Sequence, residues 1–383
     1  MRSFLRCSLG VLALTLVAES LRSGDVSPRP TAADLKLGYW PQWRGPGRDG
    51  RSAETGLLKS WDDKAPKLAW SVPGMGSGYA SVSIADGRIF TMGNYPDGQA
   101  VVALNADGGT QLWKTPLTEK PPKHGYDGSR CTPAIDEDRV YVVSSDGQIA
   151  CLKINNGEIV WRKHFAKEWG GKMMSHWGFS ESPLVDGPWV LCTPGGEAAV
   201  IVALDKLTGA EVWRSPAGDF GDEVSKRKKD GAGYSSIVVS HGGGVKQYVQ
   251  LVGRGVIGVR ASDGKFLWGY SGVANNTANV PTPIVKGDFV FCSTGYNTGS
   301  ALLKLSAEGD GVKADEEYFL NGKTLQNHHG GMILVGDHVY LGHAHKNGNP
   351  TCVELQTGKI AWGGDPPPAP AKARPPSPSP TAI

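Results

Sequence analysis

Three stretches of the sequence carry one motif at near-constant spacing, and this repeat decides the fold class. They read VALNADGGTQLW at residues 102–113, ACLKINNGEIVW at 150–161 and VALDKLTGAEVW at 202–213. Weaker copies end at Trp268 and Trp362, so successive tryptophans stand 48, 52, 55 and 94 residues apart. The last interval spans two periods, which indicates that one copy has lost its Trp near residues 318–320. A repeat of this length is typical of propellers and solenoids.

Each copy has the pattern of a hairpin followed by a large aromatic residue. A short apolar strand leads into an Asn/Asp-x-x-Gly turn, where Gly accepts a positive φ, and the next strand alternates up to the Trp. Two more strand patterns precede each copy, as in residues 132–143 and 282–291. Four strands per period of about 45 to 50 residues predict the blade of a β-propeller. A β-sandwich would not repeat a Trp-ended hairpin at this spacing.

Six such units are recognisable, and a seventh is incomplete. The units start near Gly78, Gly128, Gly178, Gly233, Asn279 and His329. The segment 66–70, which ends at Trp70, has the pattern of an outer strand without the rest of its blade. Ring closure removes exposed sheet edges, so this strand needs partner strands after Trp362. None is recognisable there, and we expect a ring that lacks its last blade; the alternative is a six-bladed ring in which the Trp70 strand pairs with the sixth unit.

The two ends of the chain differ from the repeat region. Arg2 and Arg6 precede an apolar run from Leu9 to Ala18, which predicts a Sec-type signal peptide over residues 1–20 and a periplasmic or secreted protein. Residues 21–65 then form a leader segment, 66–363 the propeller, and 364–383 a disordered tail with eight prolines. No later segment has the 18 or so apolar residues of a transmembrane helix.

Composition narrows the function classes. The chain has 383 residues with 40 Lys and Arg against 37 Asp and Glu, so it has no strong basic field for nucleic acid. Its 53 Gly and 26 Pro favour a fold with many turns. Five cysteines follow residue 20, none in a Cys-x-x-Cys pattern, and each is predicted to be a small buried hydrophobe. Catalytic signatures of hydrolases and nucleotide-binding enzymes are missing, and Gly253-x-Gly255-x-x-Gly258 lies between strands rather than before a helix.

The repeat, with its Ala-Leu-Asp/Asn, Thr/Asp-Gly and closing Trp, resembles that of the pyrroloquinoline-quinone-like (PQQ-like) propeller family. The opening WPQWRGP at residues 40–46 and Gly56-Leu57-Leu58 are similar to the start of exported bacterial members. The resemblance covers residues 40 to about 363. It implies kinship with quinoprotein dehydrogenases and with the outer-membrane assembly factor propeller, and thus with both enzymes and scaffolds.

The resemblance also allows a test for the cofactor. Quinoprotein alcohol dehydrogenases carry an adjacent Cys-Cys disulfide over the quinone and a calcium ion bound by Glu, Asn and a catalytic Asp. The Cys-Cys pair is missing here, and no such trio is assignable from motifs. No cofactor is therefore firmly implied, and PQQ with calcium stays open as the enzymatic alternative.

The first strand of each propeller blade lines the central channel, so the residues that open these strands converge on one funnel. These positions predict a polar ligand site, with a hydrated, hydrogen-bonded channel as the alternative. Its candidate residues are Tyr79, Arg130, Glu181, Tyr234, Asn279, His328 and His329. The two tyrosines are suited to stacking on a flat ligand.

Three further features have a functional and an ordinary interpretation. His343 and His345 alternate on a strand and are weak metal candidates, whereas adjacent His328 and His329 would point in opposite directions. The insertion from about Lys167, with His176 and Trp177, is either a lid over the funnel or a loop packed on its rim. The basic run 226–229 is flanked by acids and reads as a solvated loop.

The sequence thus predicts an exported, non-catalytic propeller that holds a protein partner or a small polar ligand in its funnel or on its rim loops. A PQQ-dependent oxidoreductase that acts on alcohols or sugars is the first alternative. An outer-membrane protein assembly component is the second. The oligomeric state is left open.

Overall fold

A computed structural model describes residues 38–58, 60 and 66–364. Within these residues, 24 strands form six antiparallel sheets, and each sheet contains four strands that pair in chain order. The predicted all-β fold of four-stranded propeller blades is confirmed. The predicted signal peptide, most of the predicted leader and all but the first residue of the predicted tail lie outside the described residues.

The first three blades cover residues 83–215. Blade 1 contains β1 (Ser83–Ala85), β2 (Arg88–Tyr95), β3 (Gly98–Asn105) and β4 (Gln111–Pro116). Blade 2 contains β5 (Ala134–Asp136), β6 (Arg139–Val143), β7 (Gln148–Lys153) and β8 (Ile159–His164). Blade 3 contains β9 (Leu184–Asp186), β10 (Trp189–Cys192), β11 (Ile201–Asp205) and β12 (Glu211–Ser215).

The last three blades cover residues 238–363. Blade 4 contains β13 (Val238–Ser240), β14 (Gln247–Leu251), β15 (Val256–Arg260) and β16 (Phe266–Tyr270). Blade 5 contains β17 (Ile284–Lys286), β18 (Phe289–Thr294), β19 (Gly299–Glu308) and β20 (Gly311–Asn321). Blade 6 contains β21 (Ile333–Val335), β22 (His338–His343), β23 (Asn349–Glu354) and β24 (Ile360–Gly363).

In the described part of the chain, helical structure is limited to three short segments. They are α1 (Phe165–Trp169) and two 3₁₀ turns at Ser225–Arg227 and Gly242–Gly244. His164 caps α1 by accepting from the Ala166 amide, and Gly170 ends it at φ 61°. None of the helices in the described part of the chain has the length and apolarity needed to cross a membrane.

The repeated turn is built by the side chain that opens it. In blade 3, Asp205 accepts hydrogen bonds from the amides of Leu207 and Thr208, and Gly209 then turns the chain at φ 71°. An Asx turn of this kind uses the short carboxylate as a substitute for a backbone acceptor, and the αL position strongly favours Gly. In this copy the spacing is Asp-x-x-x-Gly, one residue longer than the Asn/Asp-x-x-Gly spacing predicted from the sequence.

The closing aromatic residue of one blade packs on the turn glycine of the next. A Cβ added to Gly209 would lie 2.6 Å from the Trp161 ring, and Trp161 donates its indole N–H to the carbonyl of Lys206 at 3.1 Å. The same arrangement joins Trp113 to Gly157 and Ile154, Trp213 to Gly264 and Ala261, and Tyr318 to Gly358 and Leu355. Tyr318 therefore stands where the repeat has lost its Trp.

The core lies between blades rather than at one centre. Four apolar clusters fill the spaces between consecutive blades from blade 1 to blade 6. Large side chains such as Phe90, Tyr141, Leu191 and Phe291 are fully buried there. Polar contacts add to this packing on the inner rim, where Lys206 pairs with Asp136 and Lys246 with Asp186.

A fifth cluster covers the other face of blade 1. Ile89, Val102 and Leu104 pack there against Trp70 and Met75. A Cβ on Gly109 would lie 2.9 Å from the Trp70 ring, so Trp70 occupies the position that a preceding blade's closing Trp would take. Residues 66–72 form no assigned strand, and they contact blade 1 instead of pairing with the sixth unit. Among the described residues no strand pairing joins this segment to blade 6, so the pairing that the six-bladed alternative requires is not formed there.

Candidate functional site

The N-terminal segment Trp40–Arg48 lies across the inner strands at the centre of the ring. Trp40 exchanges two 2.8 Å backbone hydrogen bonds with Ile84 of blade 1, and the Pro41 carbonyl accepts from Ile135 of blade 2. Arg44 reaches the Met332 carbonyl just before blade 6. The motif that resembles the start of exported family members thus fills the space between the blades.

Arg48 is the deepest contact of this segment. Its guanidinium donates to the carbonyls of Ser182 and Pro183 at 2.8 and 3.0 Å and is 6% exposed. Buried Glu181 lies next in sequence and accepts from the Thr193 amide. Burial raises the pKa of Glu181 to about 7, and its hydrogen bonds and the Arg48 charge lower it by less. Glu181 is therefore part of the filled centre rather than an open ligand site.

Hydroxyl groups line the channel at the level of Arg48. The amide of Thr132 donates to Ser182, that of Ser182 to Ser236, and that of Ser236 to Thr282, at 2.9 to 3.0 Å. Each of these residues stands two positions before the first strand of its blade. At this level, the ring therefore has the hydrogen-bonded channel that was the alternative to a ligand site at these positions.

Residues that stand four positions before the first strand of a blade, such as Tyr79, Arg130 and Tyr234, lie at one end of the ring. We call this end the mouth. Arg130 lies there with its guanidinium 5.5 Å from the centre of the Tyr79 ring. It donates to the carbonyls of Gly125, Tyr126 and Gly128. Three carbonyls hold the guanidinium in place, and no ion pair involves Arg130 within residues 38–58, 60 and 66–364. Burial lowers the pKa of Arg130, and the nearby Tyr79, Tyr234 and Asp127 offset part of that effect.

The insertion after blade 2 reaches the mouth. Ser175 bonds to the Tyr234 hydroxyl at 2.6 Å and to the Thr277 carbonyl at 2.7 Å. Trp177 meets the Tyr234 ring edge-on at 5.9 Å and donates its amide to the hydroxyl. The insertion thus bridges blades 3, 4 and 5. Of its two predicted arrangements, these contacts correspond to a loop packed on the rim of the funnel.

Three histidines and a tyrosine form the blade 5 and 6 side of the mouth. The His328 ring stacks on His329 at 3.6 Å and on His345 at 3.9 Å, and Tyr296 contacts both His328 and His345. Burial lowers the pKa of His328 to about 4, with His329 adding to the effect. His328 and His329 lie in a bend, so the prediction that their rings point in opposite directions is wrong.

Two other candidates have structural roles. Asn279 is fully buried, donates to the carbonyls of Val252 and Gly253 and accepts from the Asn275 amide. His343 is buried and accepts from the Gln326 amide. The strand ends at His343 and Ala344 has φ 73°, so the alternation that would put His343 and His345 on one side does not continue. The predicted chelating pair is not formed in this way.

None of the cysteines in the described part of the chain forms a disulfide. Cys131, Cys151, Cys192, Cys292 and Cys352 are free and buried, as small hydrophobes would be. Among residues 38–58, 60 and 66–364, no three His, Cys, Asp or Glu side chains are grouped as a metal site.

Sequence reasoning missed three residues of this region. Tyr296 and Tyr126 come from loops whose positions follow no repeat, and both have positive φ. Arg48 lies in a segment with no strand pattern. The only available signal was the WPQWRGP stretch itself, whose two tryptophans and arginine are unusual in a leader. Tyr79, Arg130, Tyr234, His328 and His329 are the predicted residues that the structure places at the mouth.

Comparison with known proteins agrees with this architecture. The family model described as outer membrane protein assembly factor BamB matches residues 96–363. BamB from Moraxella catarrhalis is similar in structure, with a TM-score of 0.54 and 20% identity over 77% of this chain and 76% of that one. Quinohemoprotein alcohol dehydrogenase from Comamonas testosteroni gives a TM-score of 0.58 and 14% identity over 87% of this chain and 68% of that one.

No curated protein matches the sequence. At these identities the two solved structures support the fold alone, whereas the family model spans most of the chain and its repeats. The chain therefore belongs to the family of PQQ-like repeat propellers whose model is described as outer membrane protein assembly factor BamB.

Proposed function

We propose that the protein is an exported propeller that binds a small, flat, negatively charged ligand at its mouth and does not transform it. The observation that carries the proposal is the guanidinium of Arg130 over the Tyr79 ring, which forms no ion pair among the described residues. A guanidinium binds carboxylates through paired hydrogen bonds, and an adjacent aromatic face favours a planar partner.

The aromatic surroundings of Arg130 support a flat ligand. Tyr79 and Tyr126 are exposed, and Trp177 of the insertion meets the ring of Tyr234, which precedes blade 4, edge-on. Burial raises the pKa of Tyr234, and its hydrogen bonds and the Arg130 charge lower it by less. Exposed aromatic side chains around one cation can stack on a ligand at a low entropic cost, because the loop that carries each side chain already restricts its position.

The centre below the mouth supports binding at the mouth rather than inside the ring. Arg48 and its segment occupy the level of the hydroxyl groups, so a ligand there would have to displace buried hydrogen bonds. An unpaired buried acceptor costs about 1 to 3 kcal/mol, which disfavours such displacement.

A quinoprotein oxidoreductase is the second candidate. PQQ is a planar tricarboxylate, so the Arg130 and Tyr79 side of the mouth fits it. The vicinal disulfide does not fit, because the sequence has no adjacent cysteine pair, and the described residues contain no cluster of three His, Cys, Asp or Glu side chains. We therefore derive no reaction step through this cofactor.

An assembly role rests on the family description alone. In that role the rim loops, among them the insertion with Trp177, would contact a protein partner. Binding of a β-barrel assembly complex to the purified protein, abolished by Trp177→Ala, would favour this role over the small-ligand site.

The test is calorimetric titration of the folded protein with PQQ, with and without calcium. We expect saturable binding that Arg130→Gln and Tyr79→Ala weaken at least tenfold. Arg162→Gln, which removes an exposed arginine elsewhere, is the matched control. Equal binding by Arg130→Gln and the control would overturn the mouth site. Dye reduction with alcohols or sugars in the same samples would show catalysis and favour the oxidoreductase.

A further inference from the structure

Five blades share a row of side chains that faces the next blade. In blade 2 the row consists of the cross-strand partners Ala134, Tyr141, Cys151 and Trp161. Its second member is fully buried in every one of these blades, as Phe90, Tyr141, Leu191, Val249 and Phe291. The row is thus a recurring interface with the following blade, whose apolar strands pack against it.

Blade 6 has the same row, but the row is open. Its members Ile333, Tyr340, Cys352 and Trp362 are cross-strand partners in the same register. Trp362 is 52% exposed and Tyr340 37%, whereas Trp113 and Trp213 are 8% and 7% exposed. Val335, on the same blade, is 49% exposed. An exposed cluster of large apolar side chains on a folded protein indicates an interaction surface.

The blade 1 side of the opening is already covered by the segment that contains Trp70. Trp70 already fills the Gly109 position of blade 1, where the outer strand of a preceding blade belongs. Within residues 38–58, 60 and 66–364, no hydrogen bond, ion pair or strand pairing joins the strands of blade 6 to those of blade 1. The opening therefore has an apolar wall on one side and a single outer segment on the other.

We propose that the open face of blade 6 docks three antiparallel strands of the same repeat, carried by another polypeptide, and that residues 66–72 complete that sheet as its outer strand. The chemistry of the partner follows from the filled interfaces after blades 1, 2, 3 and 5, because Trp268 of blade 4 donates to Gln247 of its own blade instead. It needs an apolar strand over Tyr340, a turn glycine under the Trp362 ring and a carbonyl that accepts the Trp362 indole N–H. This is β-sheet augmentation combined with a side-chain anchor.

Residues 365–383 do not match this chemistry. Residues 365–383 contain eight prolines and no Asn/Asp-x-x-Gly turn. Proline lacks the N–H that a ladder requires and is confined to edges and bulges of sheets. A second copy of the chain is a weaker fit, because its recognisable blades already follow one another in a ring and only its blade 6 face is free.

The probe for the test is a separate polypeptide with residues 321–360 of this chain. It contains β21, β22, β23 and the turn at Gly358, which accepts Tyr318 in the native ring. Tyr318 and Trp362 are equivalent, so this unit carries the matching turn. We expect it to slow amide hydrogen exchange in β22 and β24 at least tenfold, and Trp362→Ala to abolish the effect.

A second form of the probe covers the case in which the separate unit does not fold. The same 40 residues are then inserted between Gly364 and Asp365, which raises their effective concentration. Leu112→Ala, which truncates an exposed apolar residue of another outer strand, is the matched control and should leave the protection unchanged.

Two results would overturn the proposal. One is unchanged exchange in β22 and β24 with both forms of the probe. The other is a dimer of the unmodified protein in sedimentation that Trp362→Ala dissociates, because the face would then be covered by a second copy.

Discussion

Nη2 of Arg48 donates a 2.8 Å hydrogen bond to the carbonyl oxygen of Ser182 and so ties the N-terminal segment to the third blade. The contact joins residues 134 positions apart, and the same guanidinium also holds Pro183 and Gln42. Trp43 lies 5.7 Å from it and covers it. The segment before the first blade is therefore a structural part of the propeller.

Replacing Arg48 should destabilise the protein strongly. Arg48→Ala leaves two buried carbonyls without a donor and Glu181 without its nearby positive charge. Removing one partner of a buried charged group costs about 3 to 5 kcal/mol, which urea unfolding will measure. Arg51→Ala, at an exposed arginine three residues on, is the control and should change the free energy of unfolding by less than about 0.5 kcal/mol. Equal effects of the two substitutions would contradict the assignment.

Glu181 should make stability depend on pH. Burial raises its pKa from 4.5 to about 7, so the folded state holds the proton more tightly than the unfolded chain. This contribution is complete below pH 4.5 and is lost as pH rises through 7. The shift corresponds to about 3 kcal/mol. Glu181→Gln should remove this slope from the free energy of unfolding, whereas the exposed Glu119→Gln should keep it. A slope that survives Glu181→Gln would assign it to another group.

The tryptophan–glycine contact between blades should be sensitive to a single methyl group. Gly209→Ala places a Cβ 2.6 Å from the Trp161 ring at a residue with φ 71°. Gly187→Ala is the matched control, because Gly187 has φ 60° but open space around its Cβ position. We expect the control to lose about 1 kcal/mol from backbone strain and Gly209→Ala about 1 to 3 kcal/mol more from overpacking. Thermal unfolding of both variants measures the difference. Equal losses of stability would show that the Trp161 ring shifts to accommodate the added methyl group.

Tyr318 should contribute to stability through its hydroxyl as well as its ring. Its hydroxyl donates to the Leu355 carbonyl at 2.8 Å, whereas the buried Tyr95 hydroxyl has no partner among the described residues. Tyr318→Phe should therefore lower the free energy of unfolding by about 1 kcal/mol, and Tyr95→Phe should leave it unchanged or raise it. If both substitutions had the same effect, the Leu355 hydrogen bond would carry no stability.

Most of the blade architecture was predictable because it is local. The Asn/Asp-x-x-Gly turn and the alternation before each Trp specify a hairpin within about a dozen residues. The lost Trp was placed near residues 318–320, and Tyr318 stands there with the same contacts. The bulge in each third strand, as between Ala103 and Leu104, was not predicted, because nothing in the local pattern distinguishes it from a regular pair.

The mouth was predicted only in part. Tyr79, Arg130 and Tyr234 were found because they occupy repeat positions before the first strands. Asn279 occupies such a position too, but its amide is used by the Val252 and Gly253 carbonyls, and no sequence pattern reports that. The histidine stack joins a bend at His328 to a loop at His345, and such a contact depends on where two irregular segments meet.

The sequence by itself determined the unit of this protein: four strands, a turn glycine and a closing aromatic residue, repeated six times. These features arise from contacts between residues close in the chain, so their periodicity is visible without a structure. The tertiary structure alone decided that Arg48 fills the centre, that Trp70 packs on Gly109 and that Trp362 stays exposed. Each of these depends on which blade lies beside which in space, and a repeated sequence carries the same signal whether or not its neighbour is present.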